Sequence, residues 1–232
     1  MISEVLIDAA RFTHFIGFAL GVGAGSFADF SILRKINTDI TTCDLGNLET
    51  VHKIVWVGLG LLWLSGLAIL YVRTGFIISE FSPKLITKLA VVVILTANAL
   101  MLGIWAMPIL KKNINRPYIA FSLEHKTILS LLASISICSW LSGLILGIFA
   151  ILKPASFTTI LPIFSALYAL AIFGSVVTTI AMHIIWERRI KAHRRKKMHP
   201  SQSTIKKQKT TPLKGDAHSS INPTEPTVHG NA

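Results

Sequence analysis

Few side chains in this chain of 232 residues could do chemistry, because the sequence around them is largely apolar. Histidine, lysine, aspartate and asparagine can bind ligands or carry protons, and each is costly to bury in a membrane. The candidates are His14, Asp29, His52, Lys88, Asn98, His125 and His183. No pair among them has metal-ligand spacing such as HExxH, and the sequence contains no CxxC motif or P-loop. We therefore expect no metal site, and any other site must be assembled from separate segments.

The elements that carry these residues are predicted to be membrane-spanning helices. The chain is 52% hydrophobic and only 15% charged, with a mean hydropathy of +0.60. Crossing the hydrocarbon core takes about 20 apolar residues in a helix, and lipid excludes open strands. Five stretches qualify, at about 12–33, 51–72, 86–110, 127–152 and 157–186. The sequence thus predicts an all-α polytopic bundle of five transmembrane helices, with a transmembrane domain over residues 1–186.

The remaining residues, 187–232, form a basic tail with 11 Lys/Arg and 3 Asp/Glu. Beyond Pro200 the tail has almost no apolar content, so we expect it to be largely disordered. A basic cluster directly after a span is typical of binding to anionic lipid headgroups. Its members are Arg188, Arg189, Lys191, Arg194, Arg195, Lys196 and Lys197. Nucleic acid is not an expected partner, since no aromatic residues are interleaved with these charges.

The pentapeptide WLSGL occurs twice, at Trp63 and again at Trp140. The same offset of 77 residues places Arg11 on Lys88, and it places ILRK at 32–35 on ILKK at 109–112. Three matches at one offset indicate that spans 1–2 were duplicated as spans 3–4. A two-span unit returns to its starting side, so the copies are expected to be parallel and related by an axis along the membrane normal. The fifth span stands outside this tandem repeat.

Small residues mark the predicted contacts between helices. Gly17, Gly21 and Gly25 follow one face of span 1 at intervals of four, which permits the close approach of another helix. WLSGL adds a serine and a glycine to such a face in spans 2 and 4. We interpret Trp63 and Trp140 as packing residues beside these faces, with stacking on a cofactor as the alternative.

Each candidate for chemistry also has a purely structural interpretation. Lys88 can extend its ammonium to the headgroups, and His52, His125 and His183 can be ordinary residues at the cytoplasmic boundary. Asp29 can pair with Arg34 or Lys35 further along its own helix, and Asn98 can form a hydrogen bond between helices.

His14 is the candidate whose position in the sequence is least well explained by a purely structural role. It lies on the side opposite the basic loops, in a helix that is otherwise apolar, and Lys88 enters span 3 at a similar depth. Since the 77-residue offset maps Lys88 onto Arg11, one turn before His14, the two depths agree to within about 5 Å. We therefore predict that His14 and Lys88 share a ligand-binding or cofactor-binding site in the outer leaflet. His52 and His125 are the second choice for such a site.

Span 1, THFIGFALGVGAGSFADFSILRK, is followed by a glycine-bearing span and then by SPKLITKLAVVVIL. This arrangement resembles bacterial membrane proteins related to copper-resistance protein D and the J-type protoporphyrinogen oxidase. In the oxidase a first-span histidine, a later arginine and a lysine entering the third span carry the function. His14, Arg34 and Lys88 match them here, whereas Asn98 stands roughly where the oxidase has a further histidine. The resemblance covers residues 10–110 and implies haem b or another tetrapyrrole as a cofactor.

Two function classes remain open. The expected one is a non-enzymatic membrane protein, an assembly partner or a small-solute conduit, in which His14 and Lys88 line a polar outer-leaflet pocket. The alternative is a haem- or tetrapyrrole-associated redox protein, with His14 as axial ligand or proton carrier and Lys88 as partner of a carboxylate. Beyond the lipid bilayer no partner is indicated, and the sequence is compatible with a homo-oligomer.

The distribution of Lys and Arg predicts the orientation in a bacterial inner membrane. The loops after spans 1 and 3 and the tail are rich in Lys and Arg, whereas the opposite side carries few. This places the N-terminus in the periplasm and the C-terminus in the cytoplasm.

A reporter that is active only in the periplasm tests this orientation. Fused after Ala232 it should be inactive, and inserted near Ser79 it should be active. The measurement is the reporter activity of both fusions, normalised to expression. The opposite pattern would show that the predicted orientation is wrong and that each residue assigned to the periplasmic side lies on the cytoplasmic side.

Overall fold

A computed structural model describes residues 2–149, 151 and 154–198. Five helices in these ranges are long and apolar enough to cross a membrane, which confirms the helical class and the number of long apolar helices. Contacts divide the chain into residues 1–188 and 189–232. Only residues 189–198 of the second unit are described, so the expected disorder of the tail beyond them lies outside the described residues.

The long helices are numbered here in chain order. They are α1 (Ile2–Arg34), α2 (Thr42–Thr74), α3 (Pro83–Met101, continued by Leu102–Ala106 and Met107–Lys112), α4 (Leu123–Ile148) and α5 (Phe157–Met198). Single 3-10 turns, Ile78–Glu80 and Tyr118–Ala120, occupy two of the connections.

Several helix ends differ from those expected from hydropathy. The first helix begins at Ile2 rather than near residue 12, and α4 ends at Ile148 rather than near residue 152. The second helix begins at Thr42 rather than near residue 51, because Thr41 and Asp44 form a reciprocal capping box at its start. Hydropathy detects only the apolar stretch that lipid requires, whereas capping groups decide where a helix begins.

The third helix contains a π-helical turn at Leu102–Ala106. Pro108 is the second residue after this turn, and proline has no N–H to donate to the preceding turn. A widened turn just before it accommodates the missing hydrogen bond, and such turns are frequent at functional sites. Gly103 in this turn lies beside the imidazole of His52 on α2, whose Nε2 is 3.2 Å from the position a Cβ on Gly103 would take.

The predicted glycine face of α1 is where α1 meets its neighbours most closely. A Cβ placed on Gly17 would lie 2.8 Å from the carbonyl oxygen of Gly58 on α2. One turn further, a Cβ on Gly21 would overlap the ring of Trp140 on α4, which also packs edge-on against Phe18. Both helix contacts therefore depend on the absence of side chains at these positions, and Trp140 is a packing residue.

The connections between α1 and α2 and between α3 and α4 pair with each other at one end of the helices, which is called the inner end here after the predicted orientation. Asp39 and Pro117 form an antiparallel bridge, Ile40 N–H donates to Arg116 at 3.3 Å, and Asn115 N–H donates to Ile40 at 2.9 Å. Ile40 is fully buried beneath this pairing. The N–H groups of Tyr118 and Ile119 also donate to Lys35 and Ile36, so the two connections satisfy several of each other's backbone polar groups.

Tyr118 ties the second inner loop to α4. Its hydroxyl donates to the carbonyl oxygen of Lys126 at 3.2 Å. Burial raises the pKa of Tyr118 to about 12, so the phenol keeps its proton and remains a donor throughout the physiological range.

The close contact of α1 and α2 yields a stability prediction. Gly17→Ala should destabilise the protein by about 1–3 kcal/mol, because the new methyl group meets a backbone oxygen that cannot rotate away. Gly23→Ala is the matched control, since a Cβ at Gly23 has no neighbour within 4 Å. Thermal unfolding in detergent should show a lower Tm for the first variant only, and equal Tm values would contradict the contact.

Candidate functional site

His14 on α1 lies against Ser65 on α2. Its Nδ1 is 3.0 Å from Ser65 Oγ, and the Ser65 hydroxyl donates its hydrogen to the carbonyl oxygen of Leu61. Since the hydroxyl has only one hydrogen, Nδ1 of His14 must be the donor in the first bond. The carbonyl oxygen of Leu62 also lies beside the ring. The neutral imidazole therefore carries its proton on Nδ1 and presents a lone pair at Nε2.

The WLSGL segment of α2 forms the surface on which His14 rests. Ser65 accepts its hydrogen bond, and a Cβ on Gly66 would lie 3.5 Å from His14 Cε1. Trp63 faces another helix, where its Nε1 donates to Thr96 Oγ1 on α3 at 3.0 Å. The pentapeptide was interpreted from the sequence as a packing device, and the structure adds that its serine and glycine hold the histidine.

Lys88 on α3 is close enough to His14 for their charges to interact. Two further cations, Lys84 and Arg73, lie within Coulombic range of Lys88. Lys84 Nζ donates to the carbonyl oxygen of Phe149 at 2.7 Å. Among the described residues none forms a hydrogen bond or an ion pair with Lys88. Positive charge from Lys88, Lys84 and Arg73 thus gathers here, and within the described ranges no ion pair joins these three cations to an acid.

Asn98 is buried near the middle of α3 with 3% of its surface exposed. Neither its Oδ1 nor its Nδ2 has a hydrogen-bond partner among the described residues, so the expected bond between helices is not formed there. Each unpaired group costs about 1–3 kcal/mol. The helix neighbours of Asn98, Leu95 and Ala99, pack in an apolar cluster with Leu59, Leu62 and Trp140.

Asp29 does not form the ion pairs considered for it. Lys35 Nζ lies 2.8 Å from Asp44 instead, and the Arg34 guanidinium stacks 5.9 Å above the Phe30 ring. Asp29 is half-buried, and no described residue acts on its carboxyl group through a hydrogen bond or an ion pair. Arg34 ends α1, so it lies about 30 Å from His14 along that helix.

His52 and His125 do not lie close to His14, and these histidines do not converge on one site. His52 Nε2 accepts a hydrogen bond from Trp56 at 3.1 Å, and His52 lies about 20 Å from Ser65 along α2. His125 Nδ1 is 3.3 Å from the amide of Asn113. In the part of the chain that the structure describes, no three His, Cys, Asp or Glu side chains converge as metal ligands.

Lys126 is the residue that sequence reasoning missed. Its charge was counted only toward orientation, yet its side chain is fully buried, and Nζ lies 3.5 Å from Nδ1 of His183 on α5. One signal could have revealed it. Every fourth residue of α4 from Lys126 to Ser142 is a lysine, serine or cysteine, in a span that is otherwise mostly apolar.

The hydrogen bond of His14 gives a spectroscopic prediction. Nitrogen-15 NMR of histidine-labelled protein should show the His14 proton on Nδ1. Ser65→Ala should raise the fraction of the Nε2 tautomer, because only the Leu62 carbonyl oxygen then remains beside the ring as an acceptor. Ser139→Ala is the control, since the Ser139 hydroxyl bonds Tyr168 instead. A wild-type proton on Nε2 would show that the assignment is wrong.

Comparison with known proteins leaves the function to be argued from this geometry. No protein-family model, no curated protein and no solved structure matches the chain. The resemblance based on His14, Arg34 and Lys88 therefore stays a prediction.

Proposed function

We propose that this chain is a multi-pass inner-membrane protein that binds an anionic ligand in its outer leaflet through His14 and Lys88. The observation that carries the proposal is the group of cations around Lys88, to which no described carboxylate is paired. An ammonium shielded from water favours an anionic oxygen as its partner. The role is non-enzymatic: the site holds a small solute in transit, or holds a lipid or partner group during assembly.

The imidazole narrows the class of ligand. With its proton bound toward Ser65, His14 presents Nε2 as an acceptor. A complementary ligand offers an anionic oxygen to Lys88 and a hydroxyl hydrogen to His14. Phosphate monoesters and glycerol-bearing phosphodiesters have both features. The first class is soluble, and the second is found in lipid headgroups.

The orientation is part of the proposal and rests on the excess of Lys and Arg in the inner connections and the tail. In the described part of the tail, Arg188 and Arg189 are exposed on α5 directly after the apolar segment. We propose that this basic stretch binds anionic headgroups of the cytoplasmic leaflet. Homo-oligomers remain compatible with the large exposed apolar surface of the helices.

A tandem repeat is also proposed, supported by two reciprocal contacts. Trp63 on α2 bonds α3, and Trp140 on α4 packs on α1, as a twofold relation between α1–α2 and α3–α4 requires. The inner loops pair in the same way. At the offset of 77, Asp39 corresponds to Arg116, and Ile40 corresponds to Pro117. The bridge between Asp39 and Pro117 is therefore equivalent to the pair of Arg116 and Ile40, which are hydrogen bonded.

Ligand binding can be measured in phosphatidylcholine nanodiscs. Glycerol phosphate added to solution, or phosphatidylglycerol included in the bilayer, should raise the Tm of the wild type if it binds the folded state. Lys88→Ala should weaken that binding by about tenfold or more, the loss of one charged hydrogen bond. His14→Ala should add little in the Lys88→Ala background, because the residues share one ligand.

Lys53→Ala is the matched control, since Lys53 is an exposed cation in the inner half of α2. A response to glycerol phosphate indicates a solute site, and a response to phosphatidylglycerol alone indicates a lipid site. Additive losses, or losses equal to those of the control, would contradict a shared site.

A second candidate function is tetrapyrrole binding, which the lone pair on His14 Nε2 favours because neutral imidazole is a common axial ligand. Purified protein supplied with haem should then show a Soret band that shifts on reduction, and His14→Ala should abolish it. A spectrum without a Soret band would contradict tetrapyrrole binding and would leave anion binding as the one proposed function.

A further inference from the structure

We propose that the contact between α4 and α5 forms a proton path that opens to the cytoplasm and is closed toward the outer leaflet by an apolar plug. The direction of the path rests on the orientation proposed above, whereas its existence does not. We call the path the polar seam. Its residues are Lys126, Ser130, Ser134, Cys138 and Ser142 on α4, and Tyr168, Ser175, Thr179, His183 and Glu187 on α5.

The α4 side of the polar seam is a ridge with a spacing of four residues. Helices commonly pack by interlocking such ridges. Here Lys126, Ser130, Cys138 and Ser142 lie beside α5 side chains or backbone, while the Ser134 hydroxyl donates to the carbonyl oxygen of Leu131 in its own helix. Sixteen residues of helix rise about 24 Å, against about 30 Å for the hydrocarbon core. The ridge therefore carries polar groups through most of the membrane.

Contacts across the two helices keep the polar groups in register. Ser130 Oγ donates to the carbonyl oxygen of Ser175 at 3.4 Å, and Ser139 Oγ lies 2.8 Å from the Tyr168 hydroxyl. Thr179 is buried one turn from His183. The antiparallel pairing thus places the Tyr168 hydroxyl beside Ser139 and the His183 imidazole beside the buried lysine.

The inner mouth consists of three titratable groups in a row. Lys126 Nζ lies 3.5 Å from His183 Nδ1, and His183 Nε2 lies 3.5 Å from Glu187 Oε1. Lys126 is fully buried, while the Glu187 side chain is half exposed. Tyr118 also approaches Lys126, but its hydroxyl bonds the backbone carbonyl. The imidazole is therefore the only described bridge between the buried ammonium and the accessible carboxylate.

This row can transfer a proton in balanced steps. The Lys126 ammonium gives one proton to His183 Nδ1, while His183 Nε2 gives its own proton to the Glu187 carboxylate. Each nitrogen that loses a proton keeps the bonding electron pair, and no group is oxidised or reduced. Glu187 then releases its proton to cytoplasmic water, and Lys126 takes up another from a hydronium ion in the polar seam, which becomes neutral water. His183 returns to the tautomer with its proton on Nε2 by proton exchange with water before the next transfer. Every step is reversible, so the direction follows the proton gradient.

A buried hydroxyl at the far end indicates that the polar seam holds water. Ser142 Oγ is fully buried beside the Cys138 thiol and the Tyr168 hydroxyl, but it forms no hydrogen bond of good geometry with any described residue. A hydroxyl in this position needs a partner, and water both donates and accepts. Lys126 has the same need, because an ammonium has three hydrogens and the described residues accept one of them.

The next ridge position after Ser142 closes the path. Leu146 and Ile160 are fully buried, and they pack with Val91 of α3 and Phe164 of α5. Lys88 lies one turn beyond Val91, on the outer side of this cluster. An apolar constriction of this kind stops conduction by excluding water. The plug therefore separates the polar seam from the outer anion site.

Opening the plug tests the proposal. Leu146→Ser continues the polar ridge by one turn. Proteoliposomes loaded with the pH dye pyranine, under a potassium diffusion potential, should show proton flux about tenfold above that of the wild type, because the dewetted constriction is removed. Adding Lys126→Met should return the flux to the wild-type level. Leu59→Ser, an equally buried change within α2, is the control and should stay closed.

Three results would overturn the proposal: a folded Leu146→Ser variant without flux, flux that survives Lys126→Met, or equal flux from Leu59→Ser. If Leu146→Ser does not fold, silver ions provide a second test with the plug intact. In a chain carrying Cys43→Ser and Cys138→Ala, Ser134→Cys should react faster from the cytoplasmic side than Ile137→Cys, which faces lipid on the same helix. Equal or slower reaction at position 134 excludes a hydrated seam.

Discussion

The contact between Gly17 on α1 and Gly58 on α2 is the constraint on which the surroundings of His14 depend. A single methyl group at either position would meet backbone atoms at about 3 Å or less. Because the backbones lie this close, the short side chain of Ser65 can reach the imidazole of His14. A wider separation would leave the partly buried histidine without this partner, at the cost of an unmade hydrogen bond.

Most polar side chains of the spans are satisfied within their own helix. Thr87, Thr96 and Ser139 each donate to the carbonyl oxygen four residues earlier, the usual way in which hydroxyls are accommodated in lipid. Polar groups that form no hydrogen bond within their own helix are the exceptions. Asn98 and Ser142 have no partner among the described residues. Buried polar groups that their own helix does not satisfy are functional hypotheses by default.

The proposed duplication explains why these groups are unequally distributed. His14 corresponds to Val91 at the offset of 77, and Ser65 corresponds to Ser142. In the first copy the serine accepts a hydrogen bond from the histidine. In the second copy the histidine is replaced by an apolar residue that packs against α5, and the serine loses its partner. Divergence of one residue pair would thus have made two different sites from one ancestral contact.

The sequence by itself determined the class of structure, since lipid permits only helices for five long apolar stretches. It also located the glycine face of α1 and named His14 and Lys88, because charges and histidines are conspicuous in apolar helices. The tertiary structure decided the rest. The tautomer of His14 depends on Ser65, which lies 51 residues away, and no local pattern encodes that contact. From the sequence Lys126 is a charge at the end of a span, whereas in the structure it is fully buried beside α5. The sequence does not show this, because the burial of a side chain depends on which helix packs against it.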